Sequence, residues 1–403
     1  MKYLLTSLIS MFVAAPAFAY ITATAAPKTV DPNTRTHILI VGNGTDLGNA
    51  LTEAAAAQAK KYNELYPNEQ VYLISVNETG KDQDIEDLKN FGFANITEKG
   101  KSFRSKDVFN EMSSFSKIAS VDVFSHSVAY YGVILDGKLN RLDPKADGYE
   151  KLASHFTSDA YAFLHGCNSA QFLAGIFSFQ WGIPVAGSFT GTDFQYLYDN
   201  KGFHNDDDRK PKDSAKVKVN RQSFEKNIGC YAGGCSRLFP DNFAYHGFWG
   251  SFNEGGLGFY KWLCVNNSIT QDRCFKTMAR AALSYISVKA LRENSSLEDY
   301  KDVVLDYLCP ANKRDECRAA LENAAATGKM EYDPYGAKSL QCDFKGCQAK
   351  FTCERIPLVN LLKSGSCEVQ NLRTSNKTTT MANEYVAYLK GYKLLQAELA
   401  AKR

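Results

Sequence analysis

Short apolar runs, each closed by a small or polar residue, recur through the first half of the chain with amphipathic stretches between them. His37–Val41 (HILIV) ends in Gly42-Asn43-Gly44, and Val71–Val76 (VYLISV), Val121–Ser125 (VDVFS), Ala160–Leu164 (AYAFL) and Ile183–Gly187 (IPVAG) repeat the form. Runs this brief and this apolar predict strands. After the first run, Thr45 or Asp46 is placed to cap a helix that carries Leu47, Ala50, Leu51 and Ala54 at helical spacing. Strands alternating with helices predict an α/β sandwich with a mainly parallel sheet, whose sites form in loops at the carboxyl ends of the strands.

Outside these runs the pattern changes. Residues 1–19 (MKYLLTSLISMFVAAPAFA) hold one early lysine, Lys2, an apolar stretch from Leu4 to Ala15, and Ala17-Phe18-Ala19 as a small-residue cleavage pattern. They predict an export signal removed after Ala19, and so a secreted or periplasmic protein; the alternative, an uncleaved anchor, has a short apolar core followed by Pro16. No later segment offers about eighteen uninterrupted apolar residues, so no membrane span is expected after signal removal. Residues 20–36, small and polar with two prolines, predict an extended lead-in. Residues 202–221 are dense in charge and predict a solvated loop.

The second half is less periodic. Residues 245–262 are rich in aromatics and glycines and predict a loop-rich packing region, with a sugar-stacking surface as the alternative. Residues 291–403 predict a disulfide-rich, partly helical extension, with helices over Asp299–Leu308 and Asp315–Ala326. A terminal amphipathic helix from Met381 would carry Tyr385, Leu389, Tyr392 and Leu395 on one side and dock on the body or on a partner.

Composition narrows the class. With 403 residues, 44% hydrophobic and 23% charged, the chain has ordinary globular composition, and a net charge of +3 gives no reason to invoke nucleic acid or an acidic membrane surface. No repeat of fixed period is present. Cysteine usage says more: there are eleven, of which ten lie from Cys230 onward while Cys167 stands alone in the first half. In an oxidising compartment ten can form five disulfides, and the clustering nominates Cys167 as the free thiol; the alternative is that Cys167 pairs with a later cysteine and leaves another over. Zinc binding by Cys342, Cys347 and Cys353 is set aside, because export favours disulfides and the last histidine, His246, lies far upstream. No cofactor or metal is expected, and the sequence does not fix the oligomeric state.

Two residues with reactive chemistry fall at predicted strand ends. His126 follows the third strand in VDVFSHS and Cys167 follows the fourth in AYAFLHGC, so adjacent parallel strands would bring both to one edge of the sheet. A thiol is mostly protonated at neutral pH, and a nearby imidazole can take its proton and later deliver one to a leaving amine. Backbone N–H groups beside Cys167 and near Ser127 are candidates to meet a developing oxyanion, and Gly166 lets the chain turn without a side chain over the sulfur.

These residues resemble the caspase-like fold of clan CD cysteine peptidases, the group of caspases, legumains, gingipains, separases and CHAT domains. The family pattern is an apolar strand ending in Ser/Thr-His-Gly, then a second ending in a small residue, Cys, any residue, Ser/Thr and Gly/Ala. Here these are Phe124-Ser125-His126-Ser127 and Gly166-Cys167-Asn168-Ser169-Ala170, with His126 41 residues before Cys167. The likeness covers about residues 37–200 and departs at Ser127, where the family usually has glycine, which puts the oxyanion geometry in question.

The resemblance implies a peptidase domain over residues 37–290 and an exported endopeptidase that uses a Cys167/His126 dyad on a protein or peptide substrate. The rival is a non-catalytic secreted binding protein on the same scaffold. It also implies that residues 183–200 line the first specificity pocket. Asp193 there would select arginine or lysine, or else serve as a helix or turn cap. Lys/Arg residues in the 202–221 loop would then offer a processing site.

Three neighbours have simpler readings. His165 is expected to hydrogen-bond backbone at a strand edge rather than act as a base. Ser169 is expected to be a local backbone partner, since no G-x-S-x-G elbow surrounds it. Gly42-Asn43-Gly44 completes neither G-x-G-x-x-G nor a Gly-Lys-Ser/Thr loop, so nucleotide binding is not expected.

Overall fold

A computed structural model of the chain describes residues 18–42, 49–78, 82–100, 103–128, 132–136, 140–143, 148–170, 172–188, 191–198, 202–205, 236–240, 246–247, 250–251, 260–285, 291–309, 314–327, 341–343, 346–348, 351–353, 367–369 and 376–401. In chain order the strands that matter are β1 (Phe18–Thr24), β2 (Thr36–Val41), β3 (Gln70–Glu78), β4 (Ala94–Lys99), β5 (Ile118–Phe124), β6 (Ser127–Val128), β7 (Gly132–Asp136) and β8 (Asn140–Leu142). They continue with β9 (Phe156–Leu164), β10 (Val185–Ser188), β11 (Thr192–Tyr198), β12 (Gly202–Asn205), β13 (Ser236–Pro240), β14 (His246–Gly247), β15 (Gly250–Ser251) and β16 (Tyr260–Leu263). Helices are α1 (Ala50–Leu65), α2 (Asp82–Asn90), α3 (Ser105–Ser113), α4 (Leu173–Trp181), α5 (Gln271–Ser284), α6 (Leu297–Leu308), α7 (Arg314–Thr327) and α8 (Asn376–Ala401), with a 3-10 turn at Tyr149–His155.

Eight strands form one sheet in the order β16-β10-β9-β5-β2-β3-β1-β4. The five from β10 to β3 run parallel; β16 at one edge pairs antiparallel with β10, and at the other edge β1 pairs antiparallel with both β3 and β4, so β4 again follows the direction of the five. Every residue of β2 and β5 is buried, which is why these strands read as nearly unbroken apolar runs. Alternation then divides them between two cores. Leu39 and Val41 face α1, α5, α6 and α8, whereas Ile38, Ile40, Val121 and Val123 face α3, α4 and the 3-10 turn. The predicted α/β sandwich with a mainly parallel sheet is what the chain forms.

Several boundaries differ from expectation. Residues 18–24, within the signal and the lead-in by sequence, form β1, inserted between β3 and β4 with Ile21 and Ala23 in one core and Thr22 and Thr24 buried beside them. Cleavage after Ala19 would leave Tyr20–Thr24 as the strand. Residues 1–17 lie outside the described residues, as do Asn43, Gly44, the Thr45 and Asp46 caps, Leu47, and 206–221 of the charged loop, although Gly202–Asn205 form β12. The aromatic-rich region 245–262 runs into the edge strand β16.

The helices expected at 299–308 and 315–326 are α6 and α7, and α8 starts at Asn376 rather than Met381. Tyr300, Leu308, Cys317, Tyr385, Tyr392 and Leu395 belong to the same core as Leu39 and Phe163, so the expected division at 290/291 does not divide the hydrophobic interior. Helix α8 docks on the body. A Cβ at Gly391 would collide with the carbonyl of Phe275, so α5 and α8 approach closely only because that position is glycine. Lys261 Nζ of β16 meets Glu384 of α8 at 2.5 Å and Trp262 Nε1 donates to Tyr388 Oη at 2.6 Å.

Among the described residues two disulfides staple this half, Cys264–Cys274 and Cys309–Cys317, closing loops of 10 and 8 residues. Loops that short contribute about 2.5 kcal/mol each in the chain-entropy account. Among the described residues no helix is long and apolar enough to cross a membrane.

Candidate active site

The site grows from the pairing of β5 with β9. They are parallel neighbours in which Val123 faces Leu164, so His126 and Cys167 each stand three residues beyond that matched pair, at the carboxyl edge of the sheet. The ladder continues past the strand ends, with His165 N–H donating to the Val123 carbonyl at 2.9 Å. The two turns are then pressed together. A Cβ on Gly166 would lie 2.5 Å from Ser127 Oγ and 2.7 Å from the Ser125 carbonyl, an approach that only glycine permits. Ser127 Oγ donates across this contact to the Cys167 carbonyl.

On the histidine side, Ser125 Oγ donates to the Ile134 carbonyl, and Ile134 N–H donates to the His126 carbonyl at 2.8 Å. His126 is half-buried and its backbone is thereby fixed to β7. Because the 126–134 step carries that bond, the next pair, Ser127 and Val133, is the non-hydrogen-bonded one. The Ser127 N–H therefore points away from β7.

On the cysteine side, Asn168 has φ +55°, a left-handed turn that asparagine tolerates better than most residues. Ser169 Oγ donates to the Leu164 carbonyl at 2.7 Å and accepts from Ser188 N–H at 3.0 Å, clasping the turn to the end of β10. Ser169 is thus the backbone partner its surroundings predicted. Cys167 is the free cysteine among the described residues and is partly exposed. Thr192, the first residue of β11, donates its backbone N–H to Cys167 Sγ at 3.3 Å, and its hydroxyl lies 3.6 Å from the sulfur.

Asp193 follows Thr192 directly. Alternation along β11 sets its side chain on the face opposite the threonine hydroxyl, and its Oδ1 accepts from Phe194 N–H at 2.7 Å. Its backbone pairs with Phe239 of β13. Strand geometry therefore brings Ser127, Cys167 and Thr192 into contact, brings His126 to the same edge, and turns Asp193 away from the face that meets the sulfur.

His165 departs from expectation. It is fully buried, stacked on Phe124 with ring centroids 4.4 Å apart, and its partners are side chains rather than backbone. Nε2 lies 3.1 Å from Asp122 Oδ1 and Nδ1 lies 2.7 Å from Tyr260 Oη. Burial pushes the imidazole below its ordinary pKa, against the pull of Asp122. With the ring neutral, Nε2–H donates to Asp122 and Nδ1 accepts from Tyr260, which leaves the Tyr285 hydroxyl to donate to the Leu238 carbonyl. Tyr62 Oη completes the set by donating to Asp122 Oδ2 at 2.6 Å. Asp122, the one charged residue in a buried strand, was the sequence signal for a buried partner. Thr192 had none, because its contact is made by backbone. Compared with protein-family models, curated proteins and solved structures, the chain matches none of them at a significant level.

Proposed function

We propose that the chain is a cysteine endopeptidase of caspase-like architecture, with Cys167 as nucleophile and His126 as general acid and base. The observation that supports this reading is the shared placement of the two residues past a matched pair of parallel strands, with Cys167 unbridged and partly exposed while Cys264, Cys274, Cys309 and Cys317 are bridged. In this reading His126 takes the thiol proton as the sulfur attacks the peptide carbonyl carbon. It returns that proton to the departing amine nitrogen as the C–N bond breaks. Water then attacks the thioester, loses a proton to His126, and releases a carboxylate while the thiol is restored. The Cys167 and Ser127 N–H groups are the candidate oxyanion donors.

The test is direct. Iodoacetamide on the native, unreduced protein should label Cys167, and Cys167→Ala and His126→Ala should each lower hydrolysis of denatured casein by about a thousandfold or more while leaving urea unfolding unchanged. Activity that survives Cys167→Ala ends the proposal, and a labelled Cys167 with no hydrolysis of any polypeptide favours the non-catalytic binding protein. Preference for arginine or lysine rests on Asp193 alone. If that carboxylate reaches the pocket, Asp193→Asn should erase most of the difference between basic and neutral residues before the scissile bond in a peptide library. An unchanged profile makes it a strand residue only.

A further inference from the structure

The contact that the dyad does not use is the one from β11. We propose that Thr192 is a positioning residue for Cys167, its backbone N–H holding the sulfur and favouring the thiolate. This rests on the reading of Cys167 as a nucleophile and adds a third member to that site. An N–H aimed at sulfur at 3.3 Å is a hydrogen bond whose strength rises when the sulfur carries charge, so it stabilises thiolate more than thiol. Backbone is suited to the task because its N–H is a donor that does not ionise in the range where a thiol titrates.

The donor is held in place from two directions. Thr192 starts a strand paired with β13 through Thr192–Pro240 and Phe194–Leu238, and both Phe194 and Leu238 are buried. The Leu238 carbonyl accepts from Tyr285 Oη and lies 2.5 Å from Tyr260 Oη, the same hydroxyl that bonds His165 two residues before Cys167. A closed circuit therefore runs from the cysteine turn through His165, Tyr260, β13 and β11 back to the sulfur. Every link from His165 to Leu238 is buried, so the distance between Thr192 and Cys167 is set by packed core rather than by a surface loop.

Thr192→Pro removes the N–H and keeps a residue at the strand start. The rate of Cys167 alkylation by iodoacetamide, followed by mass mapping from pH 5 to pH 10, is expected to fall about tenfold at neutral pH, with its midpoint displaced upward by about one pH unit. Thr192→Val, which restores the N–H without the hydroxyl, is expected to recover the rate to within about threefold of the native protein. A proline variant that unfolds as the native protein does and has a superimposable pH profile overturns the proposal, and so does a valine variant as impaired as proline. Should the proline variant not fold, the native protein labelled with 15N-threonine decides. The Thr192 amide resonance should move with pH at the midpoint of the alkylation curve and lose that dependence after alkylation, and a stationary resonance overturns the assignment. None of these readouts needs peptide hydrolysis, so failure of the peptidase reading and failure of this one are separable.

Discussion

The two ends of the parallel strands are built from different chemistry. At the amino end, Arg35 grips Asp159 with two bonds of 2.8 Å and Glu69 with a third of 2.9 Å, and Arg280 joins Asp159 at 3.0 Å and Glu293 at 2.9 Å. At the carboxyl end the contacts are made by hydroxyls, a thiol and backbone: Ser127 to the Cys167 carbonyl, Ser169 to Leu164, Thr192 to the sulfur. Burial alone would raise Asp159, but hydrogen bonds from Arg35 and the charges of Arg280 and Arg35 outweigh it and hold the carboxyl at about 2. Forked, charge-assisted contacts fix geometry and use up their partners. Single neutral contacts fix geometry and leave the Cys167 sulfur unbridged. The amino end is an anchor of paired charges, and the carboxyl end a junction of hydroxyls, backbone and one thiol.

Substitutions on the two ends should therefore fail differently. The larger effect is expected from Gly166→Ala, which forces a methyl group against Ser127 Oγ and the Ser125 carbonyl. Parting the turns should cost about 2 kcal/mol in urea unfolding and, under the proposed function, about a hundredfold in hydrolysis for a shift of the sulfur by about 1 Å. The smaller effect is expected from Asp159→Asn: about 1–2 kcal/mol, screened because the group is partly exposed, with Cys167 alkylation unaltered. The Asp159 contribution is complete above its ordinary pKa of 3.8 and is lost as pH falls toward about 2, so the variant should flatten the stability curve in that window alone. Equal losses of alkylation rate in both variants would erase the distinction between the two ends.

The parallel strands were legible because burial on both faces leaves the same mark on sequence and structure, an unbroken apolar run. Strand order then set His126 and Cys167 each three residues past a matched pair of adjacent parallel strands. β1 was not legible: its Tyr-Ile-Thr-Ala-Thr mixes threonine, which favours strands, with small residues that also suit a linker, and it sits beside a signal-like stretch. His165 was placed correctly at a strand end but given the wrong partners, since a partner 43 residues away in sequence is set by strand order and register. Thr192 was out of reach because β11 belongs to a separate three-stranded sheet, and only the tertiary arrangement carries its amide to the sulfur. Asp193 drew attention as the acid in a small-residue stretch, yet alternation decides which face such a residue serves.

The buried pair Lys261 and Glu384 bears on how the molecule is made. The two are 123 positions apart, both are almost wholly inaccessible, and burial raises the Glu384 carboxyl above its usual value against the pull of Lys261. Until α8 arrives, β16 presents an ammonium and an indole N–H with neither Glu384 nor Tyr388 to meet them. Non-local contacts of this kind form late, after the entropy of closing a long segment has been overcome. A chain lacking α8 would thus carry an edge strand whose Lys261 ammonium and Trp262 N–H have lost Glu384 and Tyr388.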